Sequence, residues 1–284
     1  AGTTVDHIEV AFNADDGVEF FGGTVNVKYV SVLFVGDDGF DTDHGYQGKG
    51  QFLFVMVGHA GDHACEMDSS SSSSTQDTTP RSHPQFYSMT LVGGGTSTDR
   101  VNGGGTGELM HLNDGTGGSF GNMVLTNPSG AGLKFQDCGT VTYSNAATRP
   151  AGAPDLLWWS PNNIIDGVPG GSAAFTGCAT DLGSWTSDTS SAGFQSAAST
   201  DLDYTTMAAT FNPLPTASGA MCSGTVDDPT SDSFFDSVTC KGAFSSPTDN
   251  WLEGWSWLDC ANKMASTGTD QCASLMPRAF NTLQ

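Results

Sequence analysis

Residues 7–68 decide the fold because they contain one sequence unit three times: HIEVAFNADDGVEFFGG (7–23), YVSVLFVGDDGFDTDHG (29–45) and LFVMVGHAGDHACEMD (53–68). Each copy runs from a stretch rich in β-branched and aromatic residues, through a turn, into a short acidic segment. A fixed period in the low twenties, with no segment of helical length inside it, is typical of one coil of a β-solenoid. The sequence therefore predicts an all-β fold built from stacked parallel coils.

The first half of each copy alternates apolar residues with other residues, a pattern that indicates a half-buried strand. Equivalent residues of stacked coils lie about 4.8 Å apart. We therefore expect Ile8, Val30 and Phe54 to form one ladder of side chains that faces the interior of the solenoid.

The repeats define a provisional division of the chain. We predict β-helix coils over residues 1–138, with inserted loops at the serine-rich segment 69–84 and the glycine-rich segment 93–107. Residues 139–284 are rich in Ser, Gly and Pro, and they are expected to form an irregular extension packed with the coils as one domain. Its aromatic block, residues 233–255, is expected to cap the open end of the solenoid.

The charge balance excludes several classes of partner. Nine basic residues against 31 acidic ones give a net charge of −22, which repels phosphate backbones and anionic lipid. No apolar stretch is long enough to span a bilayer, so neither nucleic-acid binding nor membrane insertion is expected. The excess of carboxylates favours cations as ligands.

The cysteines indicate an oxidising compartment. Cys65 lies inside a repeat and is expected to remain a reduced, buried thiol. The other six lie in the second half at spacings unlike those of zinc sites, so we expect three disulfides and an extracellular or cell-surface location. These six are Cys138, Cys178, Cys222, Cys240, Cys260 and Cys272.

Three segments carry a family resemblance. GTTVDHIEVAFNADDGVEFFGGTVNVKYVSVLFVGDDGFDTDHGYQGKGQF (2–52), FNPLPTASGA (211–220) and CKGAF…WLEGW (240–255) resemble a group of secreted or lipid-anchored surface proteins common in marine bacteria. The resemblance implies a right-handed parallel β-helix. The disulfide-braced, irregular C-terminal region is expected from the cysteines of this chain, which depart from the bacterial pattern. The resemblance also implies that related chains carry further β-helix ahead of this stretch. It assigns a fold and no reaction, so a structural or adhesive role in a surface or extracellular assembly is our first hypothesis.

The acidic segments of the repeats form the first candidate site. In register, Glu19, Asp41 and Glu66 would stack in one outward-facing row, with Asp43 and Asp68 as a parallel pair two positions on. Stacked carboxylates repel one another unless a cation neutralises them. Ca²⁺, which takes six to eight oxygen ligands, is the predicted cofactor. The alternative is a solvated acidic face without a metal.

A carbohydrate-active enzyme, either a polysaccharide lyase or a glycosidase, is the alternative function. Such chemistry needs a base and cationic groups, and Lys134 and His111 fall in the same row as the acidic residues. The competing interpretation of Lys134 is a charge-compensating partner. An open groove along the row would favour the enzyme with a glycan ligand, and without one the structural role is favoured.

The beginning of the repeats predicts a partner. The strand HIEVAF starts by residue 7, so the first coil would present unpaired backbone groups and the apolar end of its ladder. Solenoids normally cover such an edge. We therefore expect another polypeptide to stack there: a missing N-terminal portion, a cleaved partner or a second copy.

Overall fold

The structure is a computed structural model that describes residues 2–58, 61–70, 72–95, 107–150, 155–169, 174–178, 182–196 and 211–265. Seventeen strands lie in these ranges: β1 Thr4–Ala11, β2 Val18–Phe21, β3 Asn26–Leu33, β4 Phe40–Asp43, β5 Lys49–Met56, β6 Cys65–Met67, β7 Gln85–Val92, β8 Met110–Leu112, β9 Gly118–Gly121, β10 Val124–Thr126, β11 Leu133–Phe135, β12 Thr142–Ser144, β13 Leu156–Trp159, β14 Ile164–Asp166, β15 Phe175–Gly177, β16 Phe194–Ser196 and β17 Asn212–Pro215. The helices are the 3₁₀ turn Leu182–Ser184 and two single α-helical turns, α1 Ala220–Ser223 and α2 Trp257–Cys260.

Two parallel sheets organise the described chain, which is all-β as predicted. The first sheet has the order β1-β3-β5-β7-β9-β13-β12, with β10 pairing β7 and β14, and the second has the order β15-β11-β8-β6-β4-β2. From β1 to β8 the chain alternates strictly between the sheets, so each pair of strands is one copy of the repeat. A small antiparallel pair, β16 with β17, lies outside them.

The main core lies between the two sheets and is built from the ladders that the repeat predicts. Ile8 lies opposite Val30, and Val30 lies opposite Leu53. The prediction of Phe54 at this position is wrong by one residue. The second coil is one residue longer than the first: Val30 and Leu53 are 23 residues apart, whereas Ile8 and Val30 are 22 apart, so Leu53 takes the inward position. Phe54 therefore points away from the main core.

The C-terminal segment covers the outer face of the first sheet. Phe54 packs against Phe244, with ring centroids 5.8 Å apart, in a second apolar cluster that also contains Leu33, Trp251 and Leu258. The aromatic block thus lies along the side of the strands, and these contacts are not those of a cap on the open end. The reason is visible in the strands themselves, which carry apolar residues on both faces and therefore need cover on both.

The parallel strands continue beyond the boundary expected at residue 138. β13 pairs with β9, β14 with β10 and β15 with β11, all in parallel register. Their short lengths and the Ser- and Gly-rich connections between them hide this continuation in the sequence. Of the expected loops, the described residues of 69–84 form turns and no strand, and residues 96–106 of the second lie outside the described ranges.

Disulfides brace this part of the chain, as expected. One joins Cys138 to Cys178 and another joins Cys222 to Cys240. Cys260 is also disulfide-bonded, and Cys272 lies outside the described residues. Cys65 is a free, buried cysteine. In the part of the chain that the structure describes, no helix has the length and apolar character needed to cross a membrane.

Candidate functional site

The second sheet aligns the predicted site residues in one row, here called the strand row. Glu19 lies opposite Asp41, Asp41 opposite Glu66, Glu66 opposite His111, and His111 opposite Lys134. The row therefore begins with three carboxylates and ends with an imidazole and an ammonium group. This order places the mutual repulsion of the carboxylates at the end nearest β2.

A second row, here called the turn row, runs beside the strand row. It consists of Asp16, Asp38, His63 and Glu108, each two residues before the start of β2, β4, β6 and β8. Oδ1 of Asp16 accepts the backbone N–H of Asp38 at 2.9 Å, and Oδ1 of Asp38 accepts the backbone N–H of His63 at 2.8 Å. These contacts bind the turns of successive coils to one another.

The strand row is covered by protein only in part: Asp41 and His111 are buried, whereas Glu19 is exposed. Asp41 is 8% exposed and its Oδ1 has no hydrogen-bond partner among the described residues. Burial, together with the charges of Asp68 and Glu66, raises the pKa of Asp41 to about 10. An ionised Asp41 therefore needs a positive charge beside it.

The remaining two predicted ligands lie at the C-terminal ends of their strands. Asp43 is buried and bonds to its neighbour His44, whose Nδ1 lies 2.7 Å from Oδ2 of Asp43. Burial raises the pKa of Asp68 to about 9, and the charges of Glu66 and Asp114 add to the shift. Oδ1 of Asp68 is buried without a partner among the described residues.

Only part of the predicted ligand set converges. Ligand atoms of Asp16, Glu19 and Asp41 lie within 4.8 Å of one another, whereas Asp43 and Asp68 belong to no such group among the described residues. Asp16 was not predicted as a ligand, because an aspartate directly before Gly is ordinary turn chemistry. Burial, and repulsion from Asp38 and Glu19, raise its pKa to about 7.

Each row contains a histidine that bonds to the carboxylate before it in the same row, and the two imidazole centroids are 4.8 Å apart. Nδ1 of His63 lies 2.9 Å from Oδ1 of Asp38, and Nδ1 of His111 lies 2.8 Å from Oε1 of Glu66. Burial lowers the pKa of His63, but its hydrogen bonds to Asp38 and Glu108 outweigh burial and raise the pKa to about 10. His63 and Glu108 were not predicted from the sequence as site residues.

The basic end of the strand row is occupied by ion pairs. Nζ of Lys134 lies 2.9 Å from Oε1 of Glu108, which is 1% exposed. His111 is 5% exposed and bonds to Glu66. The two weak catalytic candidates are therefore adjacent, as their register predicted, but each is held by a carboxylate.

A cavity of about 580 Å³ lies away from both rows. Its floor contains Tyr87, Trp158 and Phe235, and the guanidinium of Arg149 contributes to its wall. Nε of Arg149 is buried and has no hydrogen-bond partner among the described residues. Nearby Asp232 is already paired with Lys49. The lining also contains Asp227 and Asp228, so among the lining residues only the guanidinium can pair with a negatively charged group, while the aromatic floor suits an apolar ligand face.

Comparison with known proteins identifies the fold family. Residues 1–150 match the family model described as a pectate-lyase-like β-helix domain. This match covers more than half of the 284-residue chain, so the chain belongs to this β-helix family. Searches of curated proteins and of solved structures gave no significant match. A fold family of this kind hosts both surface proteins and polysaccharide-active enzymes, so function must be argued from the sites.

Proposed function

We propose that this chain is an extracellular structural or adhesive surface protein, a right-handed parallel β-helix whose acidic rows are stabilised by Ca²⁺. The disulfides support an oxidising, extracellular compartment. The likeness of residues 2–52 to the surface proteins of marine bacteria supports the role. The two parallel sheets and the β-helix family support the architecture.

The observation that carries the calcium proposal is the environment of Asp41. This carboxylate lies between Glu19 and Glu66 in the row, is more than nine-tenths buried, and has one oxygen without a hydrogen-bond partner among the described residues. A buried carboxylate in this position either holds a proton or faces a cation. A divalent cation would bind Oδ1 of Asp41 and would also neutralise the repulsion between Asp41 and the neighbouring carboxylates.

The donor set selects a hard cation. Asp16, Glu19 and Asp41 offer only carboxylate oxygens, which suit Ca²⁺. Ca²⁺ tolerates an irregular shell completed by water, whereas Mg²⁺ requires nearly ideal octahedral geometry. Asp43 and Asp68 then act through their charge, which adds to the negative potential that attracts the ion.

The same face supports a scaffold better than a catalyst. His111 and Lys134, the groups that a lyase or glycosidase would use on this face, each form an ion pair with a carboxylate. A general base must reach a substrate proton directly or through one water molecule. The paired state of both groups favours the charge-compensating role for Lys134.

Thermal unfolding tests the calcium proposal. We expect the melting temperature to fall when EDTA is added and to recover when Ca²⁺ is restored in excess, because a ligand that binds only the folded state raises its stability. Mg²⁺ at the same concentration should restore less. An unchanged melting curve in EDTA, with no recovery by Ca²⁺, would reject the site.

The Arg149 cavity favours a second candidate function, the binding or processing of an acidic glycan. The unpaired guanidinium can pair with a uronate carboxylate while the sugar lies against the aromatic floor. Calorimetry should show binding of a uronic-acid oligosaccharide that Arg149→Gln abolishes and Arg149→Lys weakens. Equal affinity for a neutral oligosaccharide of the same length would reject the charge-based recognition.

The first coil supports the proposed stacking of another polypeptide. β1 and β2 lie at the ends of their sheets, so each has one unpaired edge among the described strands. Phe12 and Phe21, at 38% and 66% exposed, are large apolar side chains on this same coil. A further coil pairing with both strands would satisfy the backbone edge and cover these rings.

A further inference from the structure

The centre of the two rows brings two imidazoles and one carboxylate together. His63 precedes β6, Glu108 precedes β8, and His111 lies on β8. Ligand atoms of these three residues lie within 4.8 Å of one another, and all three side chains are buried. Nε2 of His63 lies 3.6 Å from Oε1 of Glu108, and the two imidazole centroids are 4.8 Å apart.

Carboxylates fix the orientation of both rings. Asp38 holds Nδ1 of His63 at 2.9 Å, and Glu66 holds Nδ1 of His111 at 2.8 Å. The carboxylate accepts a hydrogen bond from Nδ1–H, so in the neutral imidazole the free lone pair lies on Nε2. This carboxylate–histidine arrangement is the one that positions histidine ligands around metals in proteins.

One nitrogen of the cluster, Nε2 of His111, indicates that a ligand binds here. Nε2 of His111 is buried and has no hydrogen-bond partner among the described residues, and His111 is 5% exposed. A buried nitrogen without a partner costs free energy unless a ligand satisfies it. Because Nδ1 of the same ring already bonds to Glu66, the unsatisfied atom is the one that would face a metal.

We propose that His63, Glu108 and His111 form a binding site for a divalent transition metal of the Zn²⁺ class, separate from the oxygen-only calcium set. Two imidazole nitrogens and one carboxylate oxygen match the ligands that Zn²⁺ takes in three-residue sites. Asp62, whose Oδ1 lies 3.8 Å from Nε2 of His63, is close enough to contribute an oxygen as the fourth ligand.

The contact between Lys134 and Glu108 is compatible with this site. Nζ of Lys134 lies 2.9 Å from Oε1 of Glu108 and balances its charge. A carboxylate has two oxygens, so Glu108 can bind a cation while it keeps an ion pair. Metal binding would join the coils of β6 and β8, which are separated in sequence by the insertions at 69–84 and 93–107.

Zinc titration of the full chain tests the proposal. After removal of metals with a chelator, calorimetry in excess Ca²⁺ should show one Zn²⁺ bound per chain. Replacing either histidine of the site, by His63→Gln or His111→Gln, should weaken Zn²⁺ binding by at least tenfold. His44→Gln is the matched control, because His44 also bonds to an aspartate through Nδ1 but is half-exposed and outside the site. Equal affinity in all variants, or no stoichiometric binding, would overturn the proposal.

A second measurement on the unmodified chain does not depend on the folding of variants. X-ray absorption at the zinc edge should show two imidazole ligands at about 2.0–2.1 Å together with oxygen ligands. A shell of oxygen alone would place Zn²⁺ among the acidic residues and would contradict the site. The absence of bound zinc would show that Asp38, His63 and Glu108 form only an ionic network, which also overturns it.

Discussion

Nδ1 of His111 lies 2.8 Å from Oε1 of Glu66, and this contact marks the point at which the strand row changes from acidic to basic. On one side of it Asp41 and Glu19 have no basic residue opposite them in the row; on the other side Lys134 pairs with Glu108. The acidic end therefore depends on a proton or a cation, while the basic end is neutralised by the protein itself.

The first prediction concerns pH. In EDTA, folded Asp41 keeps its proton up to a pKa of about 10, whereas the unfolded carboxyl loses it near pH 4. The folded state then binds more protons than the unfolded state, so the free energy of unfolding falls as pH rises between about 5 and 9. Urea unfolding at several pH values should show a slope in the wild type that is steeper than in Asp41→Asn by about 1.4 kcal/mol per pH unit. Identical slopes would contradict the assignment.

The second prediction concerns Cys65. Complete burial raises the pKa of its thiol well above the usual value, and the nearby Asp41 charge adds to the shift. We expect no reaction with an alkylating reagent in the native protein and one reactive thiol after unfolding, since the thiolate is the reactive form. Rapid labelling of the native chain, or Cys65 found in a disulfide by mass mapping, would show that this is wrong.

The third prediction concerns the C-terminal cover of the first sheet. Phe244 is fully buried against Phe54 and Trp251, so Phe244→Ala should lower the free energy of unfolding by about 3–5 kcal/mol. Thr225→Ala is the control, because Thr225 is exposed and its truncation should change stability by less than about 0.5 kcal/mol. Similar losses in both variants would argue against a packed cover.

The fourth prediction concerns the first coil. If another polypeptide pairs with β1, the 29.4 kDa chain should be found in a larger assembly, and the amides of Thr4–Ala11 should exchange slowly. Light scattering and hydrogen exchange measure the two properties together. Phe21→Lys should weaken the association by placing a charge on the edge. A monodisperse monomer whose β1 amides exchange rapidly would count decisively against the partner.

The repeat was sufficient to predict the strand row, because Glu19 and Asp41 are separated by one period of 22 residues and successive coils keep this register. The turn row was harder to find. Glu108 is 45 residues beyond His63 in the sequence, since two insertions lengthen the coil between them. Spacing along the chain therefore did not reveal that His63 and Glu108 are neighbours.

Burial of the acidic residues could not be predicted either. Alternation along β4 assigns Asp41 to the outer face of its sheet, but it does not show what packs over that face. Phe54 was misplaced for another reason: the coil from Val30 to Leu53 has 23 residues, one more than the coil from Ile8 to Val30, and residue type does not show where the extra residue lies. The first failure arises from tertiary packing and the second from coil length, and a local pattern gives no information on either.

Native mass spectrometry combined with elemental analysis tests the central claim most directly. The chain is equilibrated with Ca²⁺, freed of excess ion and measured beside two variants, Asp41→Asn and the exposed control Asp228→Asn. We predict one Ca²⁺ per chain in the wild type and in the control, and none in Asp41→Asn. A wild-type chain without calcium, or the same calcium content in all three proteins, would contradict the account.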